Sequence, residues 1–159
     1  MSVVCDNCLV LEWSLRPATG SDRTFLFDLH RATMGAYVDA TFGWDDRAQE
    51  ALFDESFAPN ACQIIRVDNQ DAGVLALETN DAEIWLGLIE IQPRFQGMGI
   101  GTAIVESVLQ RGAETNKAVA LRVLRVNNSA RLLYERLGFV SYCENDVRVY
   151  LRAEPPTPA

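Results

Sequence analysis

No run of apolar residues in this 159-residue chain reaches the eighteen or so needed to cross a bilayer. The start, Met1-Ser2-Val3-Val4-Cys5-Asp6, lacks the basic segment and long apolar stretch of a secretory signal. The expected location is therefore cytoplasmic, with no membrane partner. Basic residues are scarce: 14 Lys and Arg stand against 22 Asp and Glu, a formal net charge of −8. Binding to nucleic acid needs the opposite balance, so none is expected. The acidity suits a cationic substrate, and it equally suits a solvated surface that keeps the chain in solution. Histidine occurs once, as His30, and cysteine four times. Cys5 and Cys8 have metal-ligand spacing, but no second C-x-x-C and no paired histidine complete a four-ligand site. Unpaired thiols are expected there, and no metal.

What is present is ordinary for one globular domain: 48% apolar and 23% charged residues, without repeats. Residues 9–16 alternate as a strand before Pro17. Ser21-Asp22 can cap a helix carrying Phe25, Leu26, Leu29 and Met34 inward. Residues 35–44 read as interrupted. Asp45-Asp46 opens a second helix with Ala48, Leu52, Phe53 and Phe57 as its stripe. Strands follow at 61–67 and 73–79 around a turn at 68–71, and the apolar run 84–91 suits a strand buried on both faces. Then come a helix at 99–112, a strand at 118–126, a helix at 127–137 closed by Gly138, and a hairpin of 139–143 with 147–151. The predicted organisation is an N-terminal arm (1–8), one mixed α/β domain (9–152) and a disordered Pro-rich tail (153–159).

Gln96-Gly97-Met98-Gly99-Ile100-Gly101-Thr102 lies between the apolar run and a helix. Glycines let backbone N–H groups approach an anion closely, and a helix N-terminus adds unsatisfied N–H groups and a partial positive charge. Together these can hold a diphosphate without a basic side chain. The spacing is not the G-x-G-x-x-G that follows a first strand in dinucleotide folds, and the lysine of a P-loop is missing. A tight turn with no ligand remains the alternative at this point. The second motif begins at Asn127. Asn127, Ala130 or Arg131, and Tyr134 share one helix face, with Asn127 at the cap and the Tyr134 hydroxyl two turns on. A cap plus a core aromatic would look the same.

The pair of motifs resembles the GNAT superfamily of N-acetyltransferases. Gln96, Gly99 and Gly101 match its [Q/R]-x-x-G-x-[G/A] element. Asn127, Ala130, Leu133, Tyr134, Gly138 and Phe139 match N-x-x-A-x-x-L-Y-x-x-x-G-F, and residues 89–93 are similar to the strand that ends in V-x-P. The resemblance is clear over residues 61–151. It implies the acyl-CoA N-acyltransferase fold: a single, mostly antiparallel sheet of six to seven strands with a splayed fourth and fifth pair, flanked by about four helices. It implies acetyl-CoA as acyl donor, with the main chain of Ile89, Glu90 and Ile91 beside the pantetheine arm. N–H groups of Gln96, Gly97, Met98, Gly99, Ile100, Gly101 and Thr102 would hold the diphosphate, Asn127 would contact the pantetheine region, and Tyr134 would be the general acid. Family members often form homodimers. A longer acyl-CoA, or a CoA-binding module without turnover, is the alternative.

The chemistry is direct attack of an amine on the thioester. A thiolate of pKa about 8.5 can take a proton from a phenol of pKa about 10. The base is less defined. Glu90 is the candidate, because a carboxylate in an apolar strand is costly to bury unless paired. A salt bridge from Glu90 to Arg122 or Arg125 is as simple an explanation, and Glu83 or a water chain could serve instead. In this family the first two helices and their connection build the acceptor site, which here offers Tyr37, Phe42 and Trp44 beside Asp39, Asp45 and Asp46. The same aromatics could pack a helical corner. A small amine, an amino sugar, an amino acid, a protein N-terminus and a lysine all remain open as acceptors.

Overall fold

A computed structural model describes residues 1–4 and 10–157; Cys5 and Cys8, and with them the expected pair of thiols, lie outside the described residues. In chain order the elements are β1 (Ser2–Val4), β2 (Val10–Pro17), α1 (Arg23–Phe42), α2 (Asp46–Ser56), β3 (Gln63–Val67), β4 (Gln70–Thr79) and β5 (Glu83–Ile91). They continue with α3 (Ile100–Thr115), β6 (Ala118–Leu124), α4 (Asn128–Arg136), β7 (Val140–Glu144) and β8 (Arg148–Ala153). There are thus eight described strands and four α-helices, against six to seven strands and about four helices expected from sequence. The extra strand is β1, three residues of the supposed arm that pair antiparallel with Val10, Leu11 and Glu12. The chain divides into two compact units, Met1–Ala76 with Leu88–Gly101, and Leu77–Gly87 with Thr102–Ala159.

In the first unit, β2 pairs antiparallel with β3 from Trp13 opposite Val67 to Pro17 opposite Gln63, and β3 pairs antiparallel with β4. A bulge between Ile65 and Arg66 shifts that second register. Leu26 and Leu29 of α1 pack with Ala18, Ile64 and Val74, and Phe25, Phe53, Phe57, Cys62 and Leu88 close around them. Asp22 precedes α1 and is buried. Its carboxylate accepts from Arg16 at 2.8 and 3.0 Å and from the Thr19 backbone N–H at 2.8 Å. Those bonds fix where α1 begins. The helix does not stop at Gly35, as the sequence suggested; it runs on to Phe42, and Gly43 ends it at φ 79°. One interior glycine costs a helix only about 1 kcal/mol, less than a packed face returns. Asp45 caps α2 through the Ala48 N–H, as expected, but Leu52 of the supposed inward stripe is exposed.

In the second unit β6 is the central strand, with Ala118, Val119, Ala120, Leu121 and Val123 buried. It pairs antiparallel with β8 along six residues, and β8 pairs antiparallel with β7. Its parallel pairing with β5 covers only Glu83, Ile84 and Trp85 opposite Ala118, Val119 and Ala120. Beyond that point the register of β6 continues with β8. The helix α3 buries Ile104, Val105 and Val108. Across both units, β5 is not buried on both faces: Ile84, Leu86 and Glu90 are buried, while Gly87 is exposed and Ile89 and Ile91 are half-buried.

Candidate functional site

The glycine-rich turn is built by the end of β5, a short 3-10 turn (Pro93–Phe95) and the start of α3. Phe95 and Gln96 donate their N–H groups to Gln92 and Pro93, which closes the 3-10 turn. Gln96, expected as a ligand contact, gives its side-chain amide to the Ile91 carbonyl at 2.8 Å and ties the loop to the strand. Gly97 and Gly99 sit at φ 75° and 80°, a region that side chains with a Cβ avoid. A Cβ on Gly99 would stand 3.2 Å from Val3, whereas the space beside Gly97 is open. Among the described residues, the N–H groups of Gly97, Met98 and Gly99 donate to no backbone carbonyl. The first turn of α3, from Ile100 and Gly101 to Thr102, adds the orphan donors of any helix start. Such N–H groups are free to donate to an anion.

Glu90 lies on the face of β5 opposite Ile89 and Ile91, and its side chain is 4% exposed. Its partner is not Arg122 or Arg125. One carboxylate oxygen lies 2.8 Å from Nδ1 of His30 on α1. Bonding to Glu90 raises the His30 pKa above its ordinary 6.5, against the opposing effect of burial. Glu83 is taken up by Arg152 at 2.7 Å. His30 escaped the sequence reading because it stands 60 positions from Glu90. A signal existed: it sits four residues after Leu26 and next to Leu29, on the inward side of α1.

The pair closes one end of a cleft of about 280 Å³. Leu26, Leu52, Phe53, Phe57, Cys62 and Leu88 form its apolar walls, with Gln49 and Ser56 as neutral polar groups. Burial and the neighbouring Glu90 push the Cys62 thiol pKa up, so it stays protonated. Arg23 of α1 clamps α2, donating to Asp54 at 2.7 Å and to Glu50 at 2.9 Å. None of Tyr37, Phe42 or Trp44 lines this cleft. Phe42 is exposed at the end of α1, and the Trp44 ring lies tilted, 6.2 Å from that of His30. Trp44 is held by its indole N–H to Asp46 at 2.7 Å and its backbone N–H to Asp39 at 2.9 Å.

In the second unit Asn127 caps α4, its side-chain oxygen accepting from the Ala130 N–H at 3.2 Å. Tyr134 is buried, and its ring meets Phe139 edge-on at 5.4 Å. Burial pushes its phenol up to about 12, so the group is protonated at neutral pH. Among the described residues no side chain or carbonyl bonds its hydroxyl, and the oxygen is not sealed in the core. No described cluster of three or more His, Cys, Asp or Glu could hold a metal ion.

The model of the Acetyltransferase (GNAT) family matches residues 24–139. No curated protein matches the chain. Among solved structures it is similar to the PaiA N-acetyltransferase of Thermoplasma acidophilum in complex with coenzyme A, at 13% identity and TM-score 0.71, over 90% of this chain and 99% of that one. It is also similar to the ribosomal-protein-S18-alanine N-acetyltransferase of Escherichia coli, at 16% identity and TM-score 0.66, over 93% and 97%. Ard1 of Thermoplasma volcanium gives 18% identity and TM-score 0.63, over 91% and 99%. At such identities these structures speak for the fold alone.

Proposed function

The chain belongs to the acetyltransferase (GNAT) family, and from that premise we propose that it moves the acetyl group of acetyl-CoA to a primary amine, with Glu90 as base and Tyr134 as acid. The observation that carries the reading is the Glu90–His30 pair: a buried carboxylate at the end of an apolar cleft, held by a single histidine. A purely structural ion pair gains little from being set in the wall of a cavity. A base that must take a proton from an ammonium gains from it, because the amine nitrogen can be seated against the carboxylate while the rest of the acceptor lies in the cleft.

The ammonium gives one proton to Glu90, and the neutral nitrogen attacks the thioester carbonyl. The C–N bond forms, and the carbonyl electrons move to oxygen. Their return breaks the C–S bond. Tyr134 protonates the departing thiolate, and the second proton lost by the nitrogen restores the phenol, so one proton in total leaves to solvent. The glycine-rich loop binds the diphosphate through its free N–H groups, and Ile89, Glu90 and Ile91 line the pantetheine arm. Asn127 positions the helix that carries Tyr134. The acyl group is acetyl, and the acceptor is a small-molecule or peptide amine.

The test is release of free CoA over a panel of amines. Tyr134→Phe is expected to lower kcat about 100-fold, as loss of an acid does, with acetyl-CoA affinity by calorimetry unchanged. Unaltered turnover would remove Tyr134 from the mechanism, and binding of acetyl-CoA without release of CoA to any amine would leave a binding module.

A further inference from the structure

We propose that the acceptor is a small primary amine carrying one apolar, preferably aromatic, body, seated between α1 and α2 with its nitrogen at Glu90. The inference rests on the amine N-acetyltransfer proposed above and names the substrate class of that site.

The cleft has one charged end. Among its described lining residues Glu90 is the single carboxylate and His30 the single basic group. A substrate with one ammonium is therefore matched, and a second cation is not. A polyamine would lay its next ammonium against Leu26, Leu88 and the two phenylalanines, where a charge without a partner is costly. Cation–π attraction offers little relief. The Phe53 ring already has the Arg23 guanidinium 5.8 Å from its centroid, and a further cation would meet that charge as well.

The polar partners are equally few. An amino sugar brings several hydroxyls, and a peptide brings amide groups next to its terminal amine. The walls offer Gln49 and Ser56, and the Ser56 hydroxyl is already bonded to the Leu52 carbonyl at 3.0 Å. Donors and acceptors buried there without partners would count against both classes. An aryl or alkyl body meets the opposite conditions. Phe53 and Phe57 lie nearly parallel with centroids 5.5 Å apart, and Phe27 meets Phe53 edge-on at 5.4 Å. A further ring can extend that cluster in the same geometries. The volume, about 280 Å³, sits at the lower end of small-ligand cavities and suits one ring with a short chain. Leu52, 57% exposed on α2, stands at the mouth where the far end of such a ligand would cover it.

The experiment compares kcat/KM for phenethylamine, spermidine, glucosamine and a short peptide beginning with alanine, at fixed acetyl-CoA. Phenethylamine is expected to exceed each of the others by at least about tenfold. Leu52→Asp, at an exposed position that does not threaten folding, should cut the phenethylamine value about tenfold, mainly through KM, and narrow its lead over spermidine. Calorimetric titration of phenethylamine into the protein saturated with CoA reads the cleft without turnover. Preference for spermidine, glucosamine or the peptide overturns the inference and leaves amine acetylation standing. Phenethylamine that binds, weakens with Leu52→Asp, and is never acetylated supports the cleft and sinks the acetyltransfer reading. Phenethylamine that neither binds nor reacts overturns the inference.

Discussion

A carboxylate that is 4% exposed and bonded to an imidazole ties the charge of His30 to the site. His30 has its pKa raised by the bond to Glu90. The ionic part of that pair therefore stabilises the fold fully below about pH 6.5, the unfolded value. It is lost as pH rises through the higher folded value. Catalysis is expected to run the other way, since a protonated His30 adds a positive charge where the ammonium must sit. We expect kcat/KM to climb with pH along a limb centred above about 6.5. His30→Asn should displace that limb, and Glu90→Gln should lower kcat/KM about 100-fold at the plateau. A limb unmoved in His30→Asn would assign the titration to another group, the amine itself being the first alternative. The residues facing the pair include Cys62, whose thiol is held protonated and does not contribute to the limb. At this scale the sequence was half legible. Glu90 stood out as a charge in an apolar strand, whereas its partner could be seen only once α1 and β5 had been brought together.

Helices and strands decide how closely Glu90 is held. Gly73 on β4 faces the main chain of β5, and a Cβ there would clash with the Glu90 carbonyl oxygen and stand 3.2 Å from the Ile91 Cα. Backbone cannot step aside as a flexible side chain can. Gly73→Ala should thus cost about 1–3 kcal/mol in urea denaturation, as overpacking does. It should also lower turnover by shifting the base. Gly20→Ala serves as the control, because nothing lies within 4 Å of its added Cβ. It should stay within about 0.5 kcal/mol of the parent. Equal effects at both positions would mean that β5 is not seated as closely as the geometry states. The elements themselves were largely legible. Apolar runs and helical stripes located β3 to β6 and α2 to α4 to within a few residues. The errors fell where a local signal was outvoted. Gly35 was read as a break but sits inside α1, whose end waits for Gly43. Ser2–Val4 was too short to stand out as a strand and forms through pairing to β2.

At the scale of the molecule the feature that decides most is the sign of the charge. The protein carries a formal −8, and the proposed donor carries several phosphate charges of the same sign. The expected diphosphate contacts are backbone N–H groups of the glycine-rich loop, which hold an anion by short-range hydrogen bonds and the helix dipole. Arg94 is the nearby cation in sequence, and it is engaged with the Phe95 ring at 4.4 Å and with the Gln70 and Gln92 side chains at 3.0 and 3.2 Å. Long-range repulsion and short-range attraction therefore act together on the donor. Raising ionic strength from about 0.01 M to about 0.15 M shortens the screening length from about 30 Å to about 8 Å and removes mainly the repulsion. Acetyl-CoA affinity, followed by calorimetry or by the rise in Tm at fixed ligand, should accordingly stay level or tighten across that range. The same measurement with NAD and ATP should show no comparable stabilisation, which separates this loop from nucleotide sites of similar glycine content. A tenfold loss of affinity with salt would instead indicate phosphates held by basic side chains, and the loop would then be a turn that shapes the helix start and not the seat of the diphosphate.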